Sequence, residues 1–164
     1  MTVIQRSDKM KTYIGIDPGK TGAYAIMTVH KDVFKVDVYD FTTFKEAAEH
    51  ISTARDGSKN TVAILEKVHA FPGQGVTSMF NFGANYGGWQ ALLDILDISH
   101  MLKAPQSWQK GLLSKADGIN TKEQSLVSAR RLFPDMQPYL KRKKDNGRAD
   151  AMLIAWHAFQ VWAK

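Results

Sequence analysis

The stretch Tyr13-Ile14-Gly15-Ile16-Asp17-Pro18-Gly19-Lys20-Thr21-Gly22 decides how the chain is read. Its apolar residues alternate with period two, end in an acid, and run into a Pro-Gly pair that forces a turn. A strand that ends this way holds one carboxylate in a direction set by the sheet, while the turn leaves it open. Such a site suits a divalent cation or a phosphate. An Asp before Pro-Gly is also an ordinary turn former, so the stretch alone leaves both readings open.

A second stretch repeats the logic. Thr61-Val62-Ala63-Ile64-Leu65 is a continuous β-branched and apolar run, as expected of a strand covered on both faces, and Glu66 follows at once. The loop Lys67-Val68-His69-Ala70-Phe71-Pro72-Gly73-Gln74-Gly75 then mixes an aromatic, a His and glycines. That composition suits a functional loop, or side chains packed beneath one. A third acid, Asp150, falls in the first turn of a helix expected over about 148–162, where the positive end of the helix dipole favours an ionised carboxylate. Asp17, Glu66 and Asp150 would then offer oxygen ligands from two strand ends and one helix start. An oxygen-only set selects Mg2+, with Mn2+ able to replace it. Two such ions roughly 4 Å apart can flank a phosphodiester, one activating water and the other stabilising the leaving oxygen. No Ser or His shows a nucleophile pattern.

The rest of the pattern predicts an α/β fold in one domain, after a loose polar lead-in over 1–11. Strands over 23–29 and 34–41, joined at His30-Lys31-Asp32, extend the first strand into an antiparallel meander. Thr42 or Thr43 caps a helix to about Ala54, which Asp56-Gly57-Ser58 breaks. A long helix runs from Thr77 or Ser78 to about Leu96 and contains Gly83, Gly87 and Gly88. Each Gly there costs about 1 kcal/mol against Ala. Close approach of another backbone, from a partner subunit or from the chain's own sheet, would compensate. A fifth strand over 98–102 leads to a short helix around 108–113. Thr121 with Gln124 makes a capping box for a helix to about Phe133. Residues 140–147 read as a basic, unstructured approach to the last helix.

Composition bounds the partners. The 164 residues, 44% hydrophobic, suffice for one well-buried core. The 22 Lys+Arg exceed the 16 Asp+Glu by six, which favours a polyanion such as nucleic acid. That excess is local: from Lys103 to Arg148 there are eleven basic and four acidic residues. With no cysteine there are no disulfides or thiolate metal sites, so a metal here must use oxygen or imidazole. The polar N-terminus is not that of a secretory signal, and no apolar run approaches the roughly 20 residues of a membrane helix. An intracellular, soluble protein without a membrane partner is expected.

The blocks Gly15-Ile16-Asp17-Pro18-Gly19, Leu65-Glu66-Lys67-Val68 with Pro72-Gly73-Gln74-Gly75, and Gly147-Arg148-Ala149-Asp150-Ala151 occur in this order. Together they resemble the RuvC-type Holliday-junction resolvases of the RNase H-like superfamily, most closely the bacteriophage-encoded members. The resemblance spans nearly the whole chain. It implies an RNase H-like mixed five-stranded sheet with helices on both faces, in a homodimer that makes paired, Mg2+-dependent nicks in a four-way DNA junction. The family's catalytic acids carry over to Asp17, Glu66 and Asp150. The long helix looks like the family's dimerisation helix, and His69 to Phe71 lie where such enzymes wedge open the junction centre. One position departs from the pattern. An acid or His is expected near 146, and the chain has Asn146. Either Asp145 serves instead or the site is weakened, as it would be by a replacement made to trap a DNA complex.

The expected DNA contacts are Lys67, His69, Phe71, Lys103, Lys110, Lys115, Lys141, Arg142, Lys143, Lys144 and Arg148. Two other readings compete. An actin/hexokinase-like ATPase also carries Asp-x-Gly-x-x-Gly, but it needs two such domains to enclose a nucleotide, and 164 residues hold one. A nucleic-acid-binding module on the same fold, catalytically impaired through Asn146, is the other.

Overall fold

Lys11–Asp17 (β1) pairs antiparallel with Ala23–His30 (β2), and β2 with Val33–Asp40 (β3). This is the expected meander, and Lys31 and Asp32 make its tight turn with φ of 49° and 65°. On the other side of β1, Thr61–Glu66 (β4) runs parallel to it, and Ser99–Lys103 (β5) runs parallel to β4. The structure, a computed structural model, describes residues 9–55 and 58–163. Its sheet has the order β3-β2-β1-β4-β5. Both β1 and β4 are therefore flanked by strands and covered on both faces, which is why each reads as a buried apolar run.

Strand alternation divides the core in two. Tyr13 and Ile64 point into one apolar cluster, whereas Ile14, Ile16, Ala63 and Leu65 point into the other. Phe44–Ala54 (α1) and Val76–Ile95 (α2) cover the second cluster with Ala47, Ile51, Trp89 and Leu93. Pro105–Gln109 (α3), Thr121–Leu132 (α4) and Asn146–Trp162 (α5) cover the first, with Trp108, Leu126, Met152 and Leu153 among its buried members. The fold is the mixed five-stranded sheet with helices on both faces that the resemblance implies.

α5 packs directly on β1 at Gly15. A Cβ on Gly15 would lie 2.1 Å from the Ala151 carbonyl oxygen and 2.3 Å from the Ala155 nitrogen. Only glycine lets the helix backbone approach the strand this closely.

Several boundaries differ from the sequence reading, each for a local reason. β1 begins at Lys11, so the lead-in is shorter than expected, and residues 1–8 lie outside the described chain, as do 56–57 of the proposed helix break. α3 spans 105–109 rather than 108–113, because Pro105 at the first helical position starts it early. The cap of α4 is Asn120, not Thr121: its side chain accepts from Glu123 N at 3.0 Å, while Glu123 Oε2 accepts from Ile119 N at 2.9 Å. The approach to α5 is ordered rather than unstructured. Pro134–Tyr139 and Lys143–Asp145 form 3-10 turns, and the fully buried Leu140 has its carbonyl held by Arg130 Nε at 3.0 Å. α5 itself starts at Asn146.

The glycines of α2 differ in their surroundings. A Cβ on Gly88 would meet the Phe44 ring at 2.3 Å, so that glycine serves packing within the chain. Gly83 and Gly87 have nothing within 4 Å.

Candidate active site

Ile16 pairs with Leu65, so Asp17 and Glu66 are the next residues on two neighbouring parallel strands. Alternation places both on the sheet face that α5 covers, in line with Tyr13 and Gly15 on β1 and with Val62 and Ile64 on β4. The turn after Asp17 is held from three sides. Gly19 N donates to Asp17 Oδ1 at 3.0 Å, Gly22 N to Gly19 O at 2.9 Å, and Asn85 Nδ2 of α2 to Pro18 O at 2.9 Å. From the other side comes the start of α5. A Cβ on Gly147 would lie 2.8 Å from Thr21 O and 3.5 Å from Asp17 Oδ2. Asp150, three residues further on, follows on the same side of the helix.

The three carboxylates sense one another. Burial pushes Asp17 up to about 6, against the opposing hydrogen bond from Gly19. Glu66 is pushed up to about 7, by burial and then by the Asp17 charge, with the Trp108 indole opposing. Asp150 is pushed up to about 8, chiefly by burial. The Ser125 hydroxyl and Lys122 oppose that rise, and the Asp17 and Glu66 charges add to it. The helix-dipole expectation for Asp150 is therefore corrected. α5 begins at Asn146, so Asp150 lies beyond its first turn, and desolvation outweighs the dipole there.

The donor set fits a hard divalent cation. It is oxygen-only, half-buried and mutually repelling, and among the described residues none of its three members forms a salt bridge. Other acids nearby do pair: Asp40 accepts two hydrogen bonds from Arg148 at 2.7 Å each, and Asp145 accepts from Arg142 at 2.7 Å. Among the described residues no three His, Cys, Asp or Glu side chains form a ready-made metal cage. One oxygen of Asp17 accepts from Gly19, and one oxygen of Glu66 accepts from Trp108 Nε1 at 2.7 Å.

Asp145 and Asn146, the two candidates for the fourth position, have different surroundings. Asp145 is buried, and its carboxylate takes the backbone N–H and the guanidinium of Arg142, which hold it below the usual carboxylate range. It is the cap of the turn before α5 rather than a partner of the other acids. Asn146 is the first residue of α5, half-buried, one position before the Gly147 that abuts Asp17.

Of the expected DNA contacts, Lys67, His69, Phe71, Lys110, Lys115, Lys141, Lys143 and Lys144 are exposed. Phe71 is 62% exposed, which excludes packing beneath its loop. His69 lines a small groove of about 100 Å³ between that loop and Met79, Phe82 and Tyr86 of α2. Lys103 is half-buried and pairs in register with Glu66. Arg142 is exposed and Arg148 half-buried, and their guanidinium groups pair with Asp145 and Asp40.

Sequence reasoning missed Trp108, Lys122 and Asn85, which act on the acids or their turn from α3, α4 and α2. The one available signal was chemical: a buried indole or amide needs a partner for its N–H, and the strand-end acids and turns are where partners are scarce.

The chain matches no protein-family model. It is 37% identical over 84 residues to the chloroplastic Holliday junction resolvase MOC1 of Chlamydomonas reinhardtii, a match covering 51% of this chain and 9% of that protein. The chain thus spans about a tenth of that relative's length. Among solved structures it is similar to RuvC of T. thermophilus in complex with a Holliday junction substrate. That likeness has a TM-score of 0.61 at 16% identity and covers 92% of this chain and 94% of the other, and it establishes the RNase H-like fold.

Proposed function

We propose that this chain is a structure-selective endonuclease that resolves four-way DNA junctions by paired, divalent-metal-dependent phosphodiester hydrolysis, working as a homodimer. One observation carries the reading: Asp17, Glu66 and Asp150, brought from β1, β4 and α5, raise one another's pKa values, and among the described residues none of the three forms a salt bridge. The relative is named a Holliday junction resolvase and the structural neighbour was solved with a junction substrate, which supports the choice of DNA. The nearness to bacteriophage-encoded members rests on the sequence blocks alone.

Asp17, Glu66 and Asp150 would hold Mg2+ or Mn2+, with Asn146 beside them. The ion, when bound, supplies water activation and stabilises the leaving oxygen. The chain's own residues do the rest. Lys67, Lys110, Lys115, Lys141, Lys143 and Lys144 are free on the surface to hold phosphates, and Lys103 stands next to Glu66 on β5. His69 and Phe71 are placed to meet unpaired bases at the junction centre. On α2, Val76 and Phe80 are 85% and 75% exposed, and Gly83 and Gly87 leave room for a second backbone. A second copy covering this side would bury them.

The test is nicking of a labelled four-way junction with Mg2+ or with EDTA, beside forks and flaps. Symmetric nicks that require Mg2+ are expected. Asn146→Asp is measured alongside. A rise by orders of magnitude would identify Asn146 as a weakened ligand position, and equal rates would show that it limits nothing. Junction binding without nicking by both versions would make the chain a binding module, and ATP turnover would favour the ATPase reading.

A further inference from the structure

We infer that Trp108 is a positioning residue for Glu66: its buried indole holds one carboxylate oxygen and leaves the other for a cation. The inference deepens the proposed metal site and rests on it. Trp108 is fully buried, and its Nε1 donates to Glu66 Oε2 at 2.7 Å. An indole N–H only donates and does not titrate, so it cannot become a ligand itself or accept a bond in exchange. A carboxylate so held no longer rotates freely about its last bond, and it binds an ion through Oε1.

The fold delivers Trp108 to this point by a short route. β5 pairs with β4 as far as Glu66 and Lys103, and Lys67 N donates to Lys103 O at 2.7 Å. The Ala104-Pro105 step then turns the chain into α3, whose only buried member is Trp108. Its ring packs within the cluster that holds Leu126, Leu140 and Met152, so packing rather than solvent sets its orientation. Trp89 supplies the contrast. It is equally buried, in the other cluster, and its Nε1 has no hydrogen-bond partner. Burial of an indole in this chain does not by itself bring a polar contact; the contact at Glu66 is particular to that position.

The test compares the intact protein with Trp108→Phe and Trp89→Phe. Mn2+ affinity is read by electron paramagnetic resonance, and the Mg2+ requirement by junction nicking. Trp108→Phe should weaken Mn2+ binding about 10–100-fold, as loss of an orienting hydrogen bond behind a ligand does. Junction binding in EDTA should stay unchanged, and Trp89→Phe should alter neither quantity. Should Trp108→Phe fail to fold, indole 15N spectra of the unaltered protein decide. The Trp108 Nε1–H resonance should shift on adding Mg2+, and that of Trp89 should not. Unchanged Mn2+ affinity in Trp108→Phe, an equal loss in both variants, or a Trp108 resonance indifferent to Mg2+ overturns the inference. A protein that binds Mn2+ as expected yet cuts no junction overturns the nuclease reading and leaves this one intact.

Discussion

Three acids with raised pKa values make a specific demand on stability. Unfolded, they titrate near pH ~4; folded, Asp17, Glu66 and Asp150 titrate at about 6, 7 and 8. Over that interval the folded chain binds more protons than the unfolded one, so stability falls as pH rises. The stabilisation is complete below pH ~4 and lost as pH rises through the three folded values. Asp40 and Asp145, held low by their arginines, titrate below this window, and His157, lowered by burial, works the opposite way as a single group. The metal-free protein should therefore have a lower Tm at pH 8 than at pH 5. Mg2+ should recover much more of it at pH 8, and a flat profile would contradict the assignment. Asp17→Asn should abolish nicking while leaving junction affinity in fluorescence anisotropy within a few-fold. Loss of binding as well would mark Asp17 as structural. Asp17 and Glu66 stood out in the sequence because each ends an apolar run, whereas the start of α5 four residues before Asp150 was not legible. The engagement of Asp145 by Arg142 was not legible, because a sequence lists acids without the arginines that pair with them.

At the scale of elements, the strands were legible almost throughout, since buried β-branched runs leave little ambiguity. Helix starts were less so. Asn120 and Pro105, each next to a credible alternative, decided where α4 and α3 begin. What no pattern displays is contact between elements, and two contacts here are open to test. Gly15→Ala would drive a methyl into the backbone of α5, where no side chain can swing away. It should destabilise by about 3 kcal/mol or more in urea denaturation, at the upper end of overpacking effects. Asn85→Ala removes the side chain that α2 lends to Pro18 O. A loss of about 1 kcal/mol is expected, with a fall in nicking larger than any fall in junction binding, because the turn it steadies carries Asp17.

For the whole molecule the question is where a polyanion would lie. Lys141, Lys143 and Lys144 are exposed, while Arg142 between them answers Asp145 and Arg148 beyond them answers Asp40. Replacing the three lysines with Ala should weaken binding and reduce the slope of log affinity against log salt by up to about 3, roughly one per lost phosphate contact. Arg142→Ala should instead cost stability, since it strands the buried Asp145 carboxylate. Sedimentation of Phe80→Glu tests the outer side of α2: a dimer that becomes a monomer is expected, and an unchanged species would place the contact elsewhere. None of the described helices is long and apolar enough to cross a membrane.

Because Ile16 is paired with Leu65, the first two acids stand side by side just past the last rung of one ladder, and their spacing belongs to the peptide backbone. Neighbouring strands lie about 4.8 Å apart whatever side chains they carry. Point substitutions at either end can alter charge, reach or ligand type, yet the gauge between the two posts stays put. Deleting one residue within β4 would do the reverse, keeping both acids while turning the glutamate to the opposite side of the sheet.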